Sequence, residues 1–419
     1  MNGVSKKVVL VLIIGTADTK ADELMFLKSC VQEAGADAAI MDIGILGTPS
    51  FTPEYSKHDV AAAANTSNEA IIELGDENRA MTKQAEGAAS LTRSLQESGQ
   101  IDGVLAIGGT MATDLALDVM AALPLGFPKL IASTVAYSPL LSPERISADL
   151  MMILWSGGLY GLNPICRSIL SQAAHAVVGA CRFRTEPDAG RPIVGISSLG
   201  KTSLKYMVEL KPELERRGYD VAVFHTTGLG GRAMESMLAK GALVAVMDFS
   251  LVEVSNHQLG SVVTAGSDRL EQAGKHGIPQ IVAPGGVTLV DFQSWAVPEE
   301  LQNSREIHVH NRLISSAILT TEEKIEAAHT IADKLNRATG PTAFIMPLEG
   351  IDEWDKEGGP FRDPEGLAAF ATAIEASLSS EIEYHALDHH INDREFAAKA
   401  LEIFDRWSAA GLIPESRTT

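Results

Sequence analysis

Short apolar runs that alternate with amphipathic segments are the feature that most restricts how this chain can fold. In the first half, segments of helix length such as KADELMFLKSCVQEAG and MATDLALDVMAAL separate the strand-length runs VVLVLIIG, DAAIMDIG, DGVLAIGG and PKLIAST. Strands that are apolar throughout are buried on both faces, which is typical of parallel sheets connected by helical crossovers. The first half is therefore predicted to be a doubly wound α/β domain.

The same alternation starts again after a polar stretch with Pro and Gly, Cys181–Pro192. Such a change of composition indicates a linker between domains. In the second half, the predicted strands lie in DVAVFHTTG, ALVAVMDFS, PQIVAPGG and TAFIMPLEG. A length of 419 residues also favours more than one hydrophobic core. We expect two Rossmann-like doubly wound domains, residues 1–185 and 186–419, with an interdomain cleft.

The acidic composition narrows the classes of partner. Asp and Glu number 54 against 34 Lys and Arg, a formal net charge of −20, which repels a nucleic acid backbone. Cys30, Cys166 and Cys181 lack metal-ligand spacing and are expected to be reduced core thiols. The apolar run Val8–Ile14 is too short to span a bilayer and has no cleavage pattern after it. We expect no nucleic acid partner, no membrane contact and a cytoplasmic location.

The stretch VGISSLGKTS matches the phosphate-loop spacing G-x-x-x-x-G-K-[ST]. Gly195, Gly200, Lys201 and Thr202 occupy the fixed positions, after a predicted strand and before a predicted helix. In such a loop the backbone amides wrap a phosphate, the lysine reaches the outer phosphates and the hydroxyl is available to Mg²⁺. The alternative is a strand-to-helix turn in which Thr202 or its neighbour is the helix cap, and both interpretations stay open.

Three loops of the first domain carry glycines, hydroxyls and charges after predicted strands. In open parallel sheets, ligands bind outside the carboxyl ends of the strands, close to helix N-termini. Asp18 is either a helix cap or a catalytic or ligand-binding residue. The other candidate binding residues are Gly15, Thr16, Thr19 and Lys20 in GTADTK, Gly108, Gly109 and Thr110 in IGGTMATD, and Ser133 and Thr134 in STVA.

Five segments relate the chain to a known family. They are IIGTADTKADELMFL, VLAIGGTMATDLALDVMAALPLGFPKLIASTVA, VFHTTGLGGRAMESMLAKG, PGGVTLVDF and HINDREFA. With these segments the chain resembles, over nearly its whole length, the Tm-1-like ATP-binding family, typified by the amino-terminal domain of the tomato mosaic virus resistance protein. The resemblance implies two Rossmann-like subdomains, ATP in their cleft, a homodimer and a reaction not established for the family. A separate TIM-barrel protein is a further candidate partner.

The resemblance also bears on the phosphate-loop match. The family pattern does not require a lysine at the position of Lys201. We therefore interpret SSLGKTS as one wall of a shared nucleotide site, in which Lys201 is an additional charge.

The loop HTTGLGGRAMES is the main candidate for anion binding in the second domain. Glycines permit positive φ angles and close backbone approach, so the amides before the next helix can hold a phosphate, and an arginine can contact its oxygens in a forked geometry. The alternative is a glycine-rich turn that only needs unusual dihedral angles. The candidate binding residues are Thr226, Thr227, Gly228, Gly230, Gly231 and Arg232. His225, just before them, is a candidate catalytic acid or base, or a packed histidine.

Two carboxylates and a second glycine pair complete this set. Asp248 and Glu253 in DFSLVEV are candidate catalytic residues that bind Mg²⁺ or polarise a substrate hydroxyl, or else solvated charges at a helix start. Gly285 and Gly286 in APGGVTLVDF form a further predicted backbone cradle for the cofactor, with Asp291 behind it.

Two histidine-containing stretches have weaker signals. His308 and His310 in HVHN would lie on one side of an extended chain, which suits a metal, but no third ligand is evident nearby and no metal site is predicted. The stretch Asp388–Asp393 is interpreted as a loop before the last helix that closes the cleft or the dimer. Glu235 is expected to support a helix start rather than hold Mg²⁺.

These observations lead to three functional hypotheses. In the first, the chain binds ATP, with Mg²⁺ as an optional companion, and uses it on a small, oxygen-rich metabolite in phosphoryl or nucleotidyl transfer. In the second, it is a nucleotide-regulated binding protein without turnover. In the third, it is an isomerase or lyase that holds the phosphate or carboxylate of its own substrate and uses His225 as the base.

Overall fold

The chain forms two compact α/β units. The computed structural model describes residues 8–185, 190–200 and 204–414. By their internal contacts the units are Met1–Pro187 and Asp188–Thr419, here called the N-terminal unit and the C-terminal unit. Each contains a parallel sheet flanked by helices, so the predicted fold class is confirmed.

The N-terminal unit has a five-stranded parallel sheet in the order β2-β1-β3-β4-β5. Its strands are β1 Leu10–Gly15, β2 Asp37–Asp42, β3 Gly103–Gly108, β4 Lys129–Ser133 and β5 Met151–Leu154. Its helices are α1 Ala21–Glu33, α2 Lys57–Ala63, α3 Asn68–Glu73, α4 Glu77–Glu97, α5 Thr110–Ala122 and α6 Pro164–Arg182, with a 3₁₀ turn at Pro143–Arg145.

The order of these strands fixes where a ligand can bind. From β1 the chain moves first to β2 on one side and then to β3 on the other side of β1. The direction of winding therefore reverses between β1 and β3, and the loops that follow these strands diverge there. In doubly wound folds this switch point is the usual ligand crevice.

Alternate residues of β1 show why the sheet is covered on both faces. Leu12 and Ile14 belong to one hydrophobic core with helices α4 and α5, and Val11 and Ile13 belong to another with α1 and α6. All four side chains are completely buried. An apolar run without alternation thus forms a strand with helices on each side, as the sequence predicted.

The C-terminal unit has a six-stranded parallel sheet in the order β14-β13-β9-β8-β6-β7 and a three-stranded antiparallel sheet in the order β10-β12-β11. Its strands are β6 Ile193–Ser198, β7 Asp220–His225, β8 Ala245–Asp248, β9 Gln280–Val282, β10 Leu289–Gln293, β11 Ile307–Val309, β12 Ile314–Ile318, β13 Thr342–Pro347 and β14 Glu383–Leu387. Its helices are α7 Tyr206–Arg216, α8 Leu229–Ala239, α9 Val252–Gln258, α10 Gln272–Lys275, α11 Glu299–Ser304, α12 Thr321–Leu335, α13 Pro364–Ser377 and α14 Arg394–Ala409.

The two parallel sheets follow the same winding rule. In the C-terminal unit the first strand, β6, lies between the second, β7, and the third, β8, and the later strands follow in order. The antiparallel sheet lies in the chain between β9 and β13 and was not predicted, nor was β14. The stretch at residues 388–393 does precede the last helix, α14, as predicted. Among the described residues, no helix is long and apolar enough to cross a membrane.

Candidate functional site

The N-terminal unit has a pocket of about 710 Å³ at the switch point of its sheet. Thr16, Asp18, Thr19 and Lys20 line it from the loop between β1 and α1. Gly108, Gly109 and Thr110 line it from the loop between β3 and α5. Seven residues predicted from two separate stretches of sequence are therefore brought together around one cavity, because their strands are neighbours.

Two helices begin at this pocket without a side-chain cap. The N-cap residues are Lys20 for α1 and Gly109 for α5, and no described side chain accepts a hydrogen bond from the first turn of either helix. Each helix has 13 residues. The first amides of a helix have no partner within the helix and carry a partial positive charge. The first residues of α5 line the pocket and provide backbone donors that suit an anion, whereas α1 reaches the pocket only through its N-cap residue, Lys20.

The loop between β1 and α1 is held by its own turn. The amides of Thr19 and Lys20 donate to the Thr16 carbonyl oxygen, and the hydroxyls of Thr16 and Thr19 are 2.8 Å apart. Asp18 is not the helix cap, so that alternative is wrong. Its carboxylate instead packs against Gly47, where any side chain would overlap it. This leaves Asp18 as a half-buried carboxylate in the pocket lining.

A buried carboxylate at the end of β2 orders the neighbouring loops. Asp42 is 1% exposed, and its Oδ1 accepts hydrogen bonds from the amides of Ala17 (2.9 Å) and Gly44 (2.8 Å). It therefore fixes the β1 and β2 loops relative to each other. The sequence analysis did not identify Asp42, although an aspartate followed closely by glycine at a strand end was an available signal.

The other wall of the pocket is mostly apolar, apart from the carboxylates of Asp76 and Glu77, and was also missed. It comes from the loop after β2 and from the segment around α3 and the start of α4, and includes Ile43, Ile45, Leu46, Ile72 and Met81. Such a wall provides a surface for a flat apolar group beside the polar loops. The helical segments in question read as ordinary amphipathic sequence, so nothing local marked them as part of a site.

The remaining candidates of the N-terminal unit lie beside the pocket. Gly15 ends β1 against Leu24, and a Cβ atom there would be 2.9 Å from the nearest leucine carbon. The Ser133 hydroxyl is fully buried, 2.7 Å from the Thr113 hydroxyl. Thr134 donates its amide to the Gly108 carbonyl oxygen. Their described contacts are therefore internal, and their binding roles stay predictions.

In the C-terminal unit, the predicted catalytic carboxylates are bound to a buried arginine. Arg269 is 1% exposed and donates to Asp248 (2.5 and 2.8 Å), Glu253 (2.8 Å) and Glu235 (3.1 Å). We call these four residues the Arg269 cluster. Burial raises the pKa of Glu253 to about 7, although Arg269 and two amides oppose the shift. The structure corrects the expected environment of Asp248 and Glu253, since neither is a solvated charge.

Glu253 also occupies the start of α8. Its Oε1 accepts hydrogen bonds from the amides of Gly228 (2.6 Å) and Gly231 (3.1 Å). Gly228 has a φ of +98°, and a side chain at Gly230 or Gly231 would overlap the His225 carbonyl or the Glu253 carboxylate. The amides predicted to bind phosphate thus bind an internal carboxylate in this structure, and a nucleotide would have to displace it.

The other polar groups near this loop are similarly engaged. Arg232 is 6% exposed and pairs with Asp268 at 2.7 Å. Glu235 accepts from the amides of Leu270 and Gln272, so it supports the start of α10 rather than, as predicted, the start of its own helix, α8. The buried Thr226 hydroxyl donates to the Ser198 carbonyl oxygen. The ATP roles of Arg232 and Thr226 stay predictions with competing internal partners.

A second pocket, of about 680 Å³, lies in the C-terminal unit. We call it the C-terminal pocket. His225, Thr227 and Gly200 line it from the ends of β6 and β7, and Trp354 lines it from the segment after β13. Lys201 and Thr202, the other phosphate-loop positions, lie outside the described residues. The described part of the phosphate-loop motif therefore reaches this pocket only through Gly200 and its neighbour Leu199.

The antiparallel sheet forms the floor of the C-terminal pocket. Asp291 on β10 pairs with Ser316 on β12, which in turn pairs with His308 on β11. Successive strand residues point to opposite faces. This row and its neighbours Leu289 and Ile314 line the pocket, while the intervening Val290, Phe292 and Ala317 are buried in the core.

His225 has a defined hydrogen-bonding state in this pocket. Its Nδ1 accepts a hydrogen bond from the Gly200 amide at 3.1 Å. A neutral imidazole that accepts at Nδ1 carries its proton on Nε2. Neutral His225 is therefore a hydrogen-bond donor at Nε2, which does not favour its predicted use as a base.

His308 and His310 lie on the same side of the chain, as predicted, and both pack on Trp354. Their ring centroids are 4.8 and 5.6 Å from that of the tryptophan. Within the described ranges, no group of three His, Cys, Asp or Glu residues could hold a metal ion. The pair is thus part of an aromatic wall in this structure.

Gly285 and Gly286 have structural partners. The Gly285 carbonyl oxygen accepts from the Leu251 amide, and the Gly286 amide donates to the Ile351 carbonyl oxygen at 3.2 Å. Gly286 has a φ of +77°, which favours glycine. Their described role is to connect the loops after β9 and β13, and their role in cofactor binding stays a prediction.

Both units match domains of one protein family. The model of the N-terminal domain of an uncharacterised protein family, UPF0261, matches residues 9–186, and that of its C-terminal domain matches residues 191–408. A UPF0261 protein of Brucella melitensis is 54% identical over 404 residues, which are 96% of each chain.

More distant matches were also found. The ToMV resistance protein Tm-1 of Solanum lycopersicum is 29% identical over 94% of this chain and 55% of its own length. A solved UDP-N-acetylglucosamine 2-epimerase of Rickettsia bellii matches 65% of this chain and 78% of that chain, with 12% identity and a TM-score of 0.22, which supports no conclusion. From the two domain matches and the Brucella relative, the chain belongs to the uncharacterised protein family UPF0261.

Proposed function

We propose that the chain binds ATP in the pocket of the N-terminal unit and uses it on a small, oxygen-rich metabolite. The observation that carries the proposal is that two helices without side-chain caps begin at one pocket, at the switch point of a parallel sheet, beside Lys20. Amides and a lysine in this arrangement suit a chain of phosphates. When bound, ATP would supply a phosphoryl or nucleotidyl group.

The donor set of the pocket fits the parts of ATP. The first amides of α5, with Lys20 and the hydroxyls of Thr16 and Thr19, would hold phosphate oxygens. The apolar wall after β2 and around α3 would hold the base. Asp18 is a carboxylate in the same lining, and carboxylates of this kind would hold Mg²⁺.

Size and resemblance support the same ligand. A volume of about 710 Å³ lies within the roughly 300–1,000 Å³ usual for small-molecule pockets. The resemblance to the Tm-1-like ATP-binding family, which also implies a homodimer, agrees with nucleotide binding. Dimerisation belongs to this proposal and is checked by light scattering in solution.

A calorimetric titration of the chain with ATP and Mg²⁺ tests the charge that Lys20 provides. Loss of a hydrogen bond to a charged group costs about 1.5–3 kcal/mol, so Lys20→Met should weaken ATP binding roughly tenfold or more. Lys83→Met is the matched control, because Lys83 pairs with Glu86 on α4 and does not line the pocket. Absence of any ATP binding by the unaltered chain contradicts the proposal.

A second pair of variants isolates a backbone donor. Thr110 is the first residue of α5, where proline is well tolerated but provides no N–H. Thr110→Ala removes only the hydroxyl, whereas Thr110→Pro removes the hydroxyl and the amide hydrogen. We expect Thr110→Pro to bind ATP several-fold more weakly than Thr110→Ala at similar thermal stability. Equal affinities would mean that the start of α5 does not contact the phosphates.

One observation favours a second candidate, a nucleotide-regulated binding protein. Asp248 and Glu253, two of the predicted catalytic residues, are bound to Arg269 inside the C-terminal unit. Their engagement lowers the number of carboxylates that could act on a substrate. Under this alternative ATP binds, but no ADP, AMP or phosphate is released when candidate metabolites are added, and a coupled assay for those products separates the two cases.

A further inference from the structure

We propose that the C-terminal pocket binds an uncharged, hydroxyl-rich small molecule of the polyol or sugar class. Asp291 would accept hydrogen bonds from its hydroxyls, His225 would donate to them, and Trp354 would pack against its carbon skeleton. The inference rests on the proposed function in one respect, namely that this molecule would be the metabolite on which ATP acts. The binding of the molecule depends on the C-terminal unit alone.

The floor of the pocket is a row of polar side chains with fixed spacing. Asp291, Ser316 and His308 are paired across three adjacent strands, so they stand side by side on one face of the sheet. Directly opposed residues of neighbouring strands have Cβ atoms about 5 Å apart. A molecule with hydroxyls on successive carbons can contact such a row at more than one point.

Asp291 is a buried hydrogen-bond acceptor on this floor. It is 5% exposed, and its Oδ1 accepts from the Ser316 hydroxyl at 2.5 Å. Burial raises the pKa of Asp291, although hydrogen bonds with Ser316 and Asn256 and the nearby His310 oppose the shift. No ion pair of Asp291 with a described lysine or arginine is present. A buried carboxyl in this setting retains capacity for a further donor, which a ligand hydroxyl provides.

The charge of the pocket disfavours an anion. Among the described residues, its lining contains Asp291 but no lysine or arginine. Phosphate and carboxylate sites normally rely on arginine, lysine or a helix N-terminus, and the start of α8 is occupied by Glu253. Among the described lining residues, a ligand phosphate or carboxylate would meet imidazoles, uncharged polar groups and a carboxyl, but no guanidinium or ammonium group.

The donors of the pocket disfavour a cation. Neutral His225 carries its proton on Nε2, since Nδ1 accepts from the Gly200 amide. A donor inside a pocket needs an acceptor, and an ammonium group has none. A hydroxyl is a small neutral group that can both donate a hydrogen bond to Asp291 and accept one from His225. The combination therefore suits hydroxyls.

Trp354 supplies a rigid apolar surface in the same pocket. It is half-buried and packs on His308, His310 and Phe361, with ring centroids 4.8, 5.6 and 5.5 Å away. Aromatic side chains with an apolar body and restrained rotamers bury ligand carbon atoms at low entropic cost.

A buried polar cluster fixes the segment that carries this tryptophan. The Asp352 carboxylate accepts from the Trp354 amide at 2.7 Å and from the Thr288 hydroxyl. His390 Nε2 donates to the Asp352 carbonyl oxygen at 2.8 Å and lies 3.4 Å from the Asp355 carboxylate. The segment is therefore held from the loop before α14 as well as from its own turn, so that Trp354 is oriented before any ligand arrives.

The test is a binding series on the full chain with three matched compounds: glucose, gluconate and glucose 6-phosphate, followed by ribitol, ribonate and ribitol 5-phosphate. Calorimetry and saturation-transfer NMR measure each affinity. We expect the neutral compound of each set to bind at least tenfold more tightly than its charged relatives. Tighter binding of the acids or phosphates, or no binding by any compound of the two sets, would overturn the inference.

Three variants assign the binding to this pocket. Asp291→Asn keeps the shape of the side chain and an acceptor for Ser316, so we expect several-fold weaker binding of glucose or ribitol and a reduced preference over the acids. Trp354→Leu should weaken binding of the neutral compounds roughly tenfold. Trp295→Leu is the control, because Trp295 is 71% exposed and does not line the pocket. An Asp291→Asn variant with unchanged selectivity contradicts the assignment even if Trp354→Leu fails to fold.

Titration of ATP into the same variants separates this inference from the proposed function. Asp291→Asn and Trp354→Leu should retain the ATP affinity of the unaltered chain, since the proposed ATP pocket lies in the N-terminal unit. Neutral compounds that bind a chain without ATP affinity would refute the proposed function and support the inference. ATP binding without any polyol or sugar binding would do the reverse.

Discussion

Replacement of Arg269 by methionine is the most direct test of how the C-terminal unit is held together. Arg269 makes hydrogen bonds to Asp248, Glu253, Glu235 and the Ser250 carbonyl oxygen, at distances between 2.5 and 3.2 Å. These partners belong to β8, α8 and α9 and the segments next to them. The arginine therefore links elements that are separate in the sequence.

The expected cost follows from what the substitution leaves behind. The side chains of Asp248, Glu235 and Glu253 are each at most 3% exposed, so Arg269→Met leaves three carboxyls buried without their cation. Breaking a buried ion pair by removal of one partner costs about 3–5 kcal/mol. Since a folded domain has about 5–15 kcal/mol of stability in total, much of the margin of this unit would be lost.

Urea unfolding followed by tryptophan fluorescence measures this cost. Trp295, Trp354 and Trp407 lie in the C-terminal unit, whereas Trp155 lies in the N-terminal unit, and circular dichroism reports on both. Adding Glu253→Gln to Arg269→Met should restore part of the stability, because one buried charge is then removed. The matched control is Arg216→Met, whose side chain is 66% exposed in its pair with Glu213 and should cost no more than about 1 kcal/mol. A stability loss below about 1 kcal/mol in the Arg269→Met chain would refute the reasoning.

Three further predictions concern stability and reactivity. The pKa of Glu253 is raised to about 7 in the folded chain from an ordinary 4.5. The contribution of Glu253 to folding stability is therefore complete below about pH 4.5 and is lost as the pH rises to about 7. The urea midpoint should fall over that interval, and Glu253→Gln should reduce the fall. Gly230→Ala should cost about 1–3 kcal/mol in thermal unfolding, because the new methyl group overlaps the His225 carbonyl, and an unchanged melting temperature would contradict this. Burial raises the pKa of the Cys181 thiol to about 12, so a thiol reagent at neutral pH should label it slowly until the chain is unfolded.

The parallel architecture was predictable because its signal is local. Runs such as Val11–Ile14 are apolar at every position, as a strand covered on both faces requires. The antiparallel sheet was not predictable in the same way. Its strands β11 and β12 are three and five residues long, and β12 contains the serine pair Ser315 and Ser316. Their register depends on contacts with β10 and the core rather than on their own pattern.

The candidate sites divide along the same line. Glycine and threonine after a strand identified Thr16, Lys20 and Gly109, because strand ends meet at one edge of a sheet. The role of Glu253 could not be read from its sequence neighbours, since its partner Arg269 is 16 residues away and reaches it only in the folded unit. A carboxylate that looks like a metal ligand in sequence can therefore be the counter-ion of a buried arginine.

Alternate residues of the antiparallel sheet have two different roles, lining the C-terminal pocket or packing in the core. On β10, Leu289 and Asp291 line the C-terminal pocket, whereas Val290 and Phe292 are buried in the hydrophobic core. Substitutions at the pocket-lining positions could thus change which compound binds, while the core positions keep the fold unchanged. Diversification among relatives, or deliberate redesign, could exploit that division by exchanging residues at cavity-facing positions of β10, β11 and β12 without rebuilding the parallel sheet.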